Sequence, residues 1–167
     1  VPLELNGEEW FWQYSPYAYF SQHGIAVNTE HTPMKVDADT FKKLFDFVDY
    51  APDYFIGCNA ALPRVGGSIL THDHFQGGGK LLPMHKAGDK IKLRNDAYPY
   101  IDASIIDWYN NAIRLVSTSR EKLIECAAEI LHGWEQYNDE SVDLIAYSNE
   151  KHSTVTPIVR KVDGKYC

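Results

Sequence analysis

Residues 66–79 read GGSILTHDHFQGGG, and the alternation in this stretch determines the architecture that we expect. Side chains alternate between faces along a β-strand, so every second residue shares a face. The polar set on one face is His72, His74 and Gln76, while Asp73 and Phe75 are predicted to point the other way. Glycine clusters on both sides favour loops that other groups can approach closely. The stretch therefore predicts a strand over 68–76 with an aligned polar triplet.

The segment around this strand differs in charge from the rest of the chain. Residues 61–95 hold six of the eleven glycines and six Lys or Arg against two Asp, whereas the whole chain has a net charge of −7. Backbone N–H groups beside glycine can come close to a phosphate. We expect an anion to be bound here, with Lys80, Lys86 or Arg64 offsetting its charge.

The composition predicts one folded domain over residues 1–167, because 44% hydrophobic and 13% aromatic residues can bury one sizeable core. The acidic balance argues against a nucleic-acid partner, and no apolar run reaches the roughly 20 residues that span a bilayer. Three cysteines, never in Cys-x-x-Cys spacing, favour a reducing compartment, so a cytoplasmic location is expected. The first residue is Val1 rather than Met, which is expected of a piece of a longer chain.

Two amphipathic helices are predicted on either side of the polar strand. The first begins after a cap at Asp37 or Asp39. Its apolar stripe has i, i+3, i+4 and i+7 spacing and consists of Phe41, Leu44, Phe45 and Val48. The second begins with the capping box Thr118-x-x-Glu121 and continues to about Tyr137. Its predicted buried face consists of Leu123, Ala127, Ile130 and Trp134.

Short strands complete the predicted pattern. Runs rich in β-branched and aromatic residues predict strands at 24–27, near 106–108 and 113–115, at 144–147 and at 154–159. The alternative for 106–116 is one helix using Ile106, Tyr109, Ile113 and Val116, but paired Asn at 110–111 favours a turn between two strands. Residues 10–20 hold seven of the 22 Phe, Trp and Tyr, which predicts an aromatic core layer. An antiparallel sheet with helices packed on it, an α+β fold, is the architecture that we expect.

Two chemistries suit a His-x-His-x-Gln strand. In one, His72 and His74 ligate a metal ion together with a third ligand from elsewhere in the chain. The candidates for that ligand are His31, His85, His152 or a carboxylate. In the other, a neutral imidazole attacks phosphorus while a backbone carbonyl orients its second nitrogen. The residues alone leave both chemistries open.

Gln76 limits the reactions that an attack on phosphorus could complete. Its amide can donate a hydrogen bond to a phosphoryl oxygen, but it has no proton for a leaving group and cannot deprotonate water. We therefore expect a leaving group that needs no acid, such as a sugar phosphate leaving a pyrophosphate. Histidine at this position would favour hydrolysis, whereas glutamine favours transfer.

Four segments together resemble one enzyme family. The run 66–78 is similar to the active-site segment of hexose-1-phosphate uridylyltransferases, specifically the bacterial type-2 branch of the galactose-1-phosphate uridylyltransferases. These enzymes belong to the histidine-triad (HIT-like) superfamily, whose hydrolases carry His-x-His-x-His where transferases carry His-x-His-x-Gln. The other matching stretches are EHTPM at 30–34, CNAALP at 58–63 and HSTVTPIVR at 152–160. The similarity extends from about Trp10 to the end of the chain.

The resemblance implies an HIT-like antiparallel sheet and a ping-pong transfer of UMP in galactose metabolism. His74 is expected to attack the α-phosphorus of UDP-glucose or UDP-galactose and to pass UMP to a hexose 1-phosphate. Gln76 is expected to bind the phosphoryl oxygens, and His72 belongs to the same catalytic set. Substrate-binding positions near the phosphates or the sugar are matched by Asn59, Gly67, Ser68, His152 and Arg160.

The sequence also departs from the better-known branch of these enzymes. That branch reads His-Pro-His-Gly-Gln and holds a zinc ion with its first histidine and earlier cysteines. Here Asp73 and Phe75 replace Pro and Gly and there is no cysteine pair, so no cofactor is expected. Family members are longer, so the resemblance implies that this sequence is the C-terminal, His-x-His-x-Gln-bearing piece of a chain with a further N-terminal region. A homodimer without nucleic-acid or membrane partners is expected.

Three other functions stay open at the level of sequence. An HIT-like nucleotidyl hydrolase would use the same nucleophile with water as acceptor. A metal-dependent enzyme would use His72 and His74 as ligands. A nucleotide-sugar-binding domain would be inactive unless the additional N-terminal region completed its site.

Overall fold

The computed structural model describes every residue from Val1 to Cys167 and contains ten strands and two α-helices. The strands are β1 (Pro2–Leu5), β2 (Glu8–Tyr14), β3 (Gly24–Asn28), β4 (Phe55–Gly57), β5 (His74–Gly78), β6 (Asp89–Leu93), β7 (Asp102–Ile106), β8 (Ile113–Val116), β9 (Ile158–Val162) and β10 (Lys165–Tyr166). The helices are α1 (Ala38–Tyr50) and α2 (Arg120–Trp134), and two short 3-10 turns cover Pro83–Lys86 and Glu140–Val142. No helix is both long enough and apolar enough to cross a membrane.

Seven of the strands form one antiparallel sheet in the order β1-β2-β3-β5-β4-β9-β10. Strands β6, β7 and β8 form a second, smaller antiparallel sheet. Sheets and helices are both present, so the predicted α+β class is confirmed. The strand that carries the polar motif, β5, lies in the middle of the large sheet between β3 and β4.

The apolar core lies between α1 and one face of the large sheet, which we call the inner face. The apolar stripe of α1 is buried as predicted, and the helix contacts β1, β4 and β9. From β5, the Phe75 ring stacks on Trp10 of β2 with 4.7 Å between ring centroids. The opposite face of the sheet, which we call the open face, carries His74 and Gln76.

Capping explains where the helices begin. Asp37 is the N-cap of α1, and its side chain accepts a hydrogen bond from the Thr40 N–H at 2.9 Å. The α2 prediction needs correction, because Ser119 rather than Thr118 is its N-cap and accepts from the Lys122 N–H.

The predicted face of α2 also needs correction. The helix packs chiefly on α1 and buries Leu123, Cys126 and Leu131. Ala127 and Ile130 are only partly buried, and Trp134 is exposed. The helix ends at Trp134, three residues before the predicted end.

Several strand predictions are confirmed and others are wrong. The strands at 24–27 and 113–115 are present as β3 and β8. The strand predicted near 106–108 lies earlier, as β7 (Asp102–Ile106), and residues 107–110 form bends. Residues 144–147 form no strand and contribute only isolated bridges, and the strand predicted from 154 begins at Ile158. The aromatic run divides between environments, because Trp10 is buried in the core whereas Tyr14, Tyr17 and Tyr19 are exposed.

Candidate active site

His72 does not lie on the strand predicted to carry it. Strand β5 begins at His74, and residues 68–73 form turns and loop. The chain bends at Ile69, whose φ is +53°, and the Asp73 N–H donates to the Thr32 carbonyl instead of joining the ladder. The His72 Nε2 is 2.8 Å from the Asn28 carbonyl oxygen, which ties the turn to the end of β3.

His74 is held in a defined orientation at the start of β5. It lies opposite Val27 of β3, and its side chain is 8% exposed. The Nδ1–H donates to the His72 carbonyl at 2.8 Å. Nε2 has no hydrogen-bond partner and reaches the surface. This geometry makes Nδ1 the protonated nitrogen and leaves the Nε2 lone pair available as a nucleophile.

Gln76 lies two residues further along the open face and is oriented by a histidine that no sequence motif marks. The Nε2 of His23 is 3.0 Å from the Gln76 Oε1, so the imidazole N–H donates to the amide oxygen. The NH₂ end of the amide is then the end left to donate to a ligand. His23 is only 4% exposed and lies against the rings of Phe20 and Tyr19, at 4.6 and 5.5 Å between centroids.

Residues of two loops come together near the start of β5. The chain leaves β4 at Gly57, opposite Gln76, and reaches Asn59 two residues later. Gly67 packs on this loop so closely that a Cβ there would lie 2.1 Å from the Ala60 carbonyl oxygen. Only glycine fits this contact, which brings Ser68 to the same neighbourhood. The side chains of Asn59 and Ser68 make no hydrogen bond within the protein.

The segment before β9 joins the same end of the sheet, but its histidine is already engaged. Ile158 pairs with Gly57, and the Pro157 carbonyl accepts from the Cys58 N–H at 3.0 Å. His152 is exposed, with Nδ1 2.9 Å from the Ile145 carbonyl and Nε2 2.9 Å from the Ser148 Oγ. Both ring nitrogens therefore have partners within the loop.

Arg160 is not brought together with His74. It pairs with Phe55, which in turn pairs with Gly78, so it lies on the open face four residues along the sheet from His74. Four residues correspond to about 13 Å in the direction of the strands, and Arg160 also lies two strands to the side of β5. Lys80 lies near that far end as well, whereas Arg64 is exposed in the loop and lies 4.0 Å from Glu150.

Behind the motif, a buried ionic cluster faces the core. The Lys43 ammonium, 2% exposed, lies 2.7 Å from Glu8 and 3.6 Å from the buried Asp73 carboxylate. Burial raises the pKa of Asp73, and the nearby Lys43 opposes this effect. Burial likewise raises the pKa of the Cys58 thiol to about 12, so that thiol is inert at neutral pH.

The histidines do not assemble a set of metal ligands. His31 stacks on His72 with 4.4 Å between ring centroids, but no group of three His, Cys, Asp or Glu comes together. The His72 Nε2 already contacts a backbone carbonyl, and the His74 Nδ1 is also occupied. These donor atoms do not fit the tetrahedral zinc of the better-known branch.

Taken together, the fold and the site define an α+β domain that presents a backbone-oriented imidazole beside an amide donor. These are the groups that nucleophilic attack on phosphorus requires. No family model matches the chain, and no solved structure matches it significantly.

Sequence comparison with curated proteins confirms the resemblance. The chain is 51% identical over 159 residues to the galactose-1-phosphate uridylyltransferase of Bifidobacterium longum, which is 94% of this chain and 31% of that protein. It is 46% identical to the enzymes of the same name from Caldanaerobacter subterraneus and Fusobacterium nucleatum, over 99% and 96% of this chain and 33% and 32% of theirs. The chain spans about a third of the length of the curated relatives it matches.

Proposed function

We propose that this chain carries the uridylyl-transfer site of a galactose-1-phosphate uridylyltransferase. The observation that carries the proposal is the 2.8 Å hydrogen bond from His74 Nδ1 to the His72 carbonyl. That bond fixes which nitrogen attacks. It also gives a partner to the proton that stays on the ring when the other nitrogen becomes covalently bound.

In the first half-reaction, His74 Nε2 attacks the α-phosphorus of UDP-glucose or UDP-galactose. An N–P bond forms, the P–O bond to the β-phosphate breaks, and hexose 1-phosphate leaves with the bonding electron pair. The positive charge on the ring is shared with Nδ1–H and its carbonyl partner. In the second half-reaction, a phosphate oxygen of galactose 1-phosphate attacks the same phosphorus and releases His74.

Gln76 stabilises the charge that develops on the phosphoryl oxygens. His23 holds the amide oxygen, so the NH₂ group is directed outward as a donor. A preorganised donor of this kind costs no reorganisation when the transition state forms. Gln76 supplies no proton, and hexose 1-phosphate needs none to leave. The site therefore favours transfer over hydrolysis.

The remaining expectations belong to the same proposal. Asn59, Gly67 and Ser68 line the approach to the phosphates, and the 152–157 segment binds through its backbone and hydroxyl groups rather than through a free imidazole. The HIT-like architecture, a single domain over 1–167, a homodimer, a cytoplasmic location and the absence of nucleic-acid and membrane partners are also implied by the resemblance.

The experiment is to incubate the chain with UDP-glucose and to measure its intact mass. We expect one added uridylyl group that is acid-labile and absent from His74→Ala. His132→Ala, which removes an exposed histidine on α2, serves as the matched control and should be modified normally. A chain that binds UDP-glucose without gaining a uridylyl group would overturn the enzymatic proposal in favour of a binding domain.

Gln76→His separates transfer from hydrolysis. An imidazole at this position can activate water or protonate a leaving group, so we expect UDP-glucose hydrolysis to rise at the expense of transfer. Release of UMP without galactose 1-phosphate measures this change. If hydrolysis by the unmodified sequence already matches its transfer rate, the chain is a hydrolase. Activity lost to a chelator and restored by metal would instead favour the metal-dependent alternative.

A further inference from the structure

Arg160 differs from the other four arginines in its surroundings. Arg64, Arg94, Arg114 and Arg120 each lie within 4.0 Å of at least one carboxylate. Arg160 is partly buried and forms no ion pair; one Nη atom donates to the His85 carbonyl at 3.4 Å, and its Nε is buried without a partner. A guanidinium removed from water without a counter-ion is unfavourable unless something else compensates its charge.

His85 adds a second unpaired donor beside it. Its Nδ1 accepts a hydrogen bond from the Leu82 N–H at 3.2 Å, so Nε2 carries the proton. That Nε2 is also buried without a partner. Burial, followed by the charges of Arg160 and Arg114, lowers the pKa of His85 to about 4. The neutral ring is therefore a donor in a region of positive potential.

Two adjoining cavities of about 210 and 230 Å³ share His85 and Arg160 in their walls. The first is also lined by Gly79, Lys80 and Leu81, whose backbone N–H groups donate to no acceptor in the protein. Lys165 lines the second, and neither Lys80 nor Lys165 forms an ion pair. Asp53 and Asp163 are the acidic side chains in the two walls, and neither forms an ion pair with Arg160. Cys167 also lines the second cavity and pairs with Arg160 through backbone hydrogen bonds only.

We propose that His85, Arg160 and the 79–81 loop form a binding site for a phosphate group, separate from His74. The imidazole N–H, the guanidinium Nε–H, the loop N–H groups and the Lys80 ammonium are donors without acceptors of their own. A tetrahedral oxyanion accepts from several donors at once. The ligand is inorganic phosphate or a small phosphate monoester. The organic group of a monoester would occupy the adjoining cavity. Along the strand direction, this site is about 13 Å from His74. The proposal is therefore independent of the reaction proposed for His74.

The test is a titration of the isotope-labelled chain with inorganic phosphate, against chloride at equal ionic strength. We expect saturable NMR shifts of the Arg160 Nε–H, the His85 ring and the 79–81 amides. Arg160→Gln should weaken binding at least tenfold, about the loss of one charge-assisted hydrogen bond. Lys80→Gln, at an exposed position that cannot disturb folding, should weaken it about threefold. The matched control Arg94→Gln should bind as the unmodified chain does.

Glycerol 3-phosphate separates the two sources of the phosphate group. Tighter binding of this ester assigns the site to a phosphate monoester, and weaker binding assigns it to inorganic phosphate. Equal shifts with phosphate and chloride would overturn the proposal. Phosphate affinity that is unchanged in both the Lys80→Gln variant and the Arg160→Gln variant would overturn it as well. If Arg160→Gln does not fold, absence of shifts at the 79–81 amides of the unmodified chain overturns it alone.

Discussion

The two faces of the chain from residue 73 to 76 contrast sharply. On the inner face, Phe75 stacks on Trp10 and Asp73 joins the Lys43 cluster, so both side chains have a packing or charge partner in the core. On the open face, His74 and Gln76 each have one polar atom in a hydrogen bond, the His74 Nδ1 and the Gln76 Oε1. The His74 Nε2 and the Gln76 NH₂ group have no partner in the protein. The inner face thus stabilises the strand, whereas the open face holds groups ready for a ligand. Substitutions on the two faces should therefore have different consequences.

Phe75→Ala is expected to have the largest effect on stability. It removes a fully buried ring and the stacking contact of that ring with Trp10, which costs about 3–5 kcal/mol of unfolding free energy. Urea unfolding measures this loss, and Tyr109→Ala, at an exposed position, is the control that should change little. Under conditions in which the variant stays folded, its uridylylation rate should be within about tenfold of that of the unmodified chain, because the open face is intact. Complete loss of the reaction in a folded Phe75→Ala protein would contradict the division of roles between the faces.

Lys43→Met is expected to be the next most destabilising change. It leaves the Asp73 carboxylate buried without its cation, which typically costs about 3 kcal/mol or more. Adding Asp73→Asn in the same chain should restore part of the loss, because the uncompensated charge is then gone. An unchanged unfolding free energy in the single variant, measured by urea unfolding, would show that the cluster contributes no net stability.

His23→Phe should affect the open face while leaving the fold nearly unchanged. Phenylalanine keeps the contacts with Phe20 and Tyr19 but cannot donate to Gln76, so we expect uridylylation about tenfold slower with little change in unfolding free energy. His23→Gln, which retains an N–H donor, should recover part of the rate. In a Gln76→Ala background, His23→Phe should have no further effect; an equal loss there would show that His23 does not act through Gln76.

The smallest expected effect concerns pH. The pKa of His85 is lowered to about 4 from 6.5 by burial and by the neighbouring arginines, so the unfolded chain binds this proton more readily than the folded one. The stability that the neutral ring contributes is present above about pH 6.5 and is lost as pH falls toward 4. His85→Phe should therefore make unfolding free energy less dependent on pH between 6.5 and 4. Urea unfolding at several pH values measures this, and an unchanged slope would contradict it.

Local patterns in the sequence predicted much of the fold. The α1 stripe and its Asp37 cap depend on neighbouring residues, as does the alternation that directs Phe75 inward and Gln76 outward. Positions set by long-range pairing were not predictable in this way. His23 reaches Gln76 only because β3 pairs with β5, and no signal near His23 in the sequence marks that contact.

The same limit explains why the structure separates residues that the sequence pattern groups. The left-handed backbone at Ile69 ends the predicted strand and removes His72 from it, although neither residue type requires that bend. The matching segment 152–160 groups Arg160 with His152 in the sequence. The β4–β9 register then carries Arg160 to the other end of the open face, beside His85.

The most direct test of the proposed mechanism is to identify the ring atom that becomes bonded to phosphorus. NMR of histidine-labelled chain after incubation with UDP-glucose distinguishes an Nε2 adduct from an Nδ1 adduct. We predict uridylylation of His74 at Nε2, with Nδ1 still protonated and hydrogen-bonded to the His72 carbonyl. Uridylylation at Nδ1, or on any residue other than His74, would contradict the mechanism.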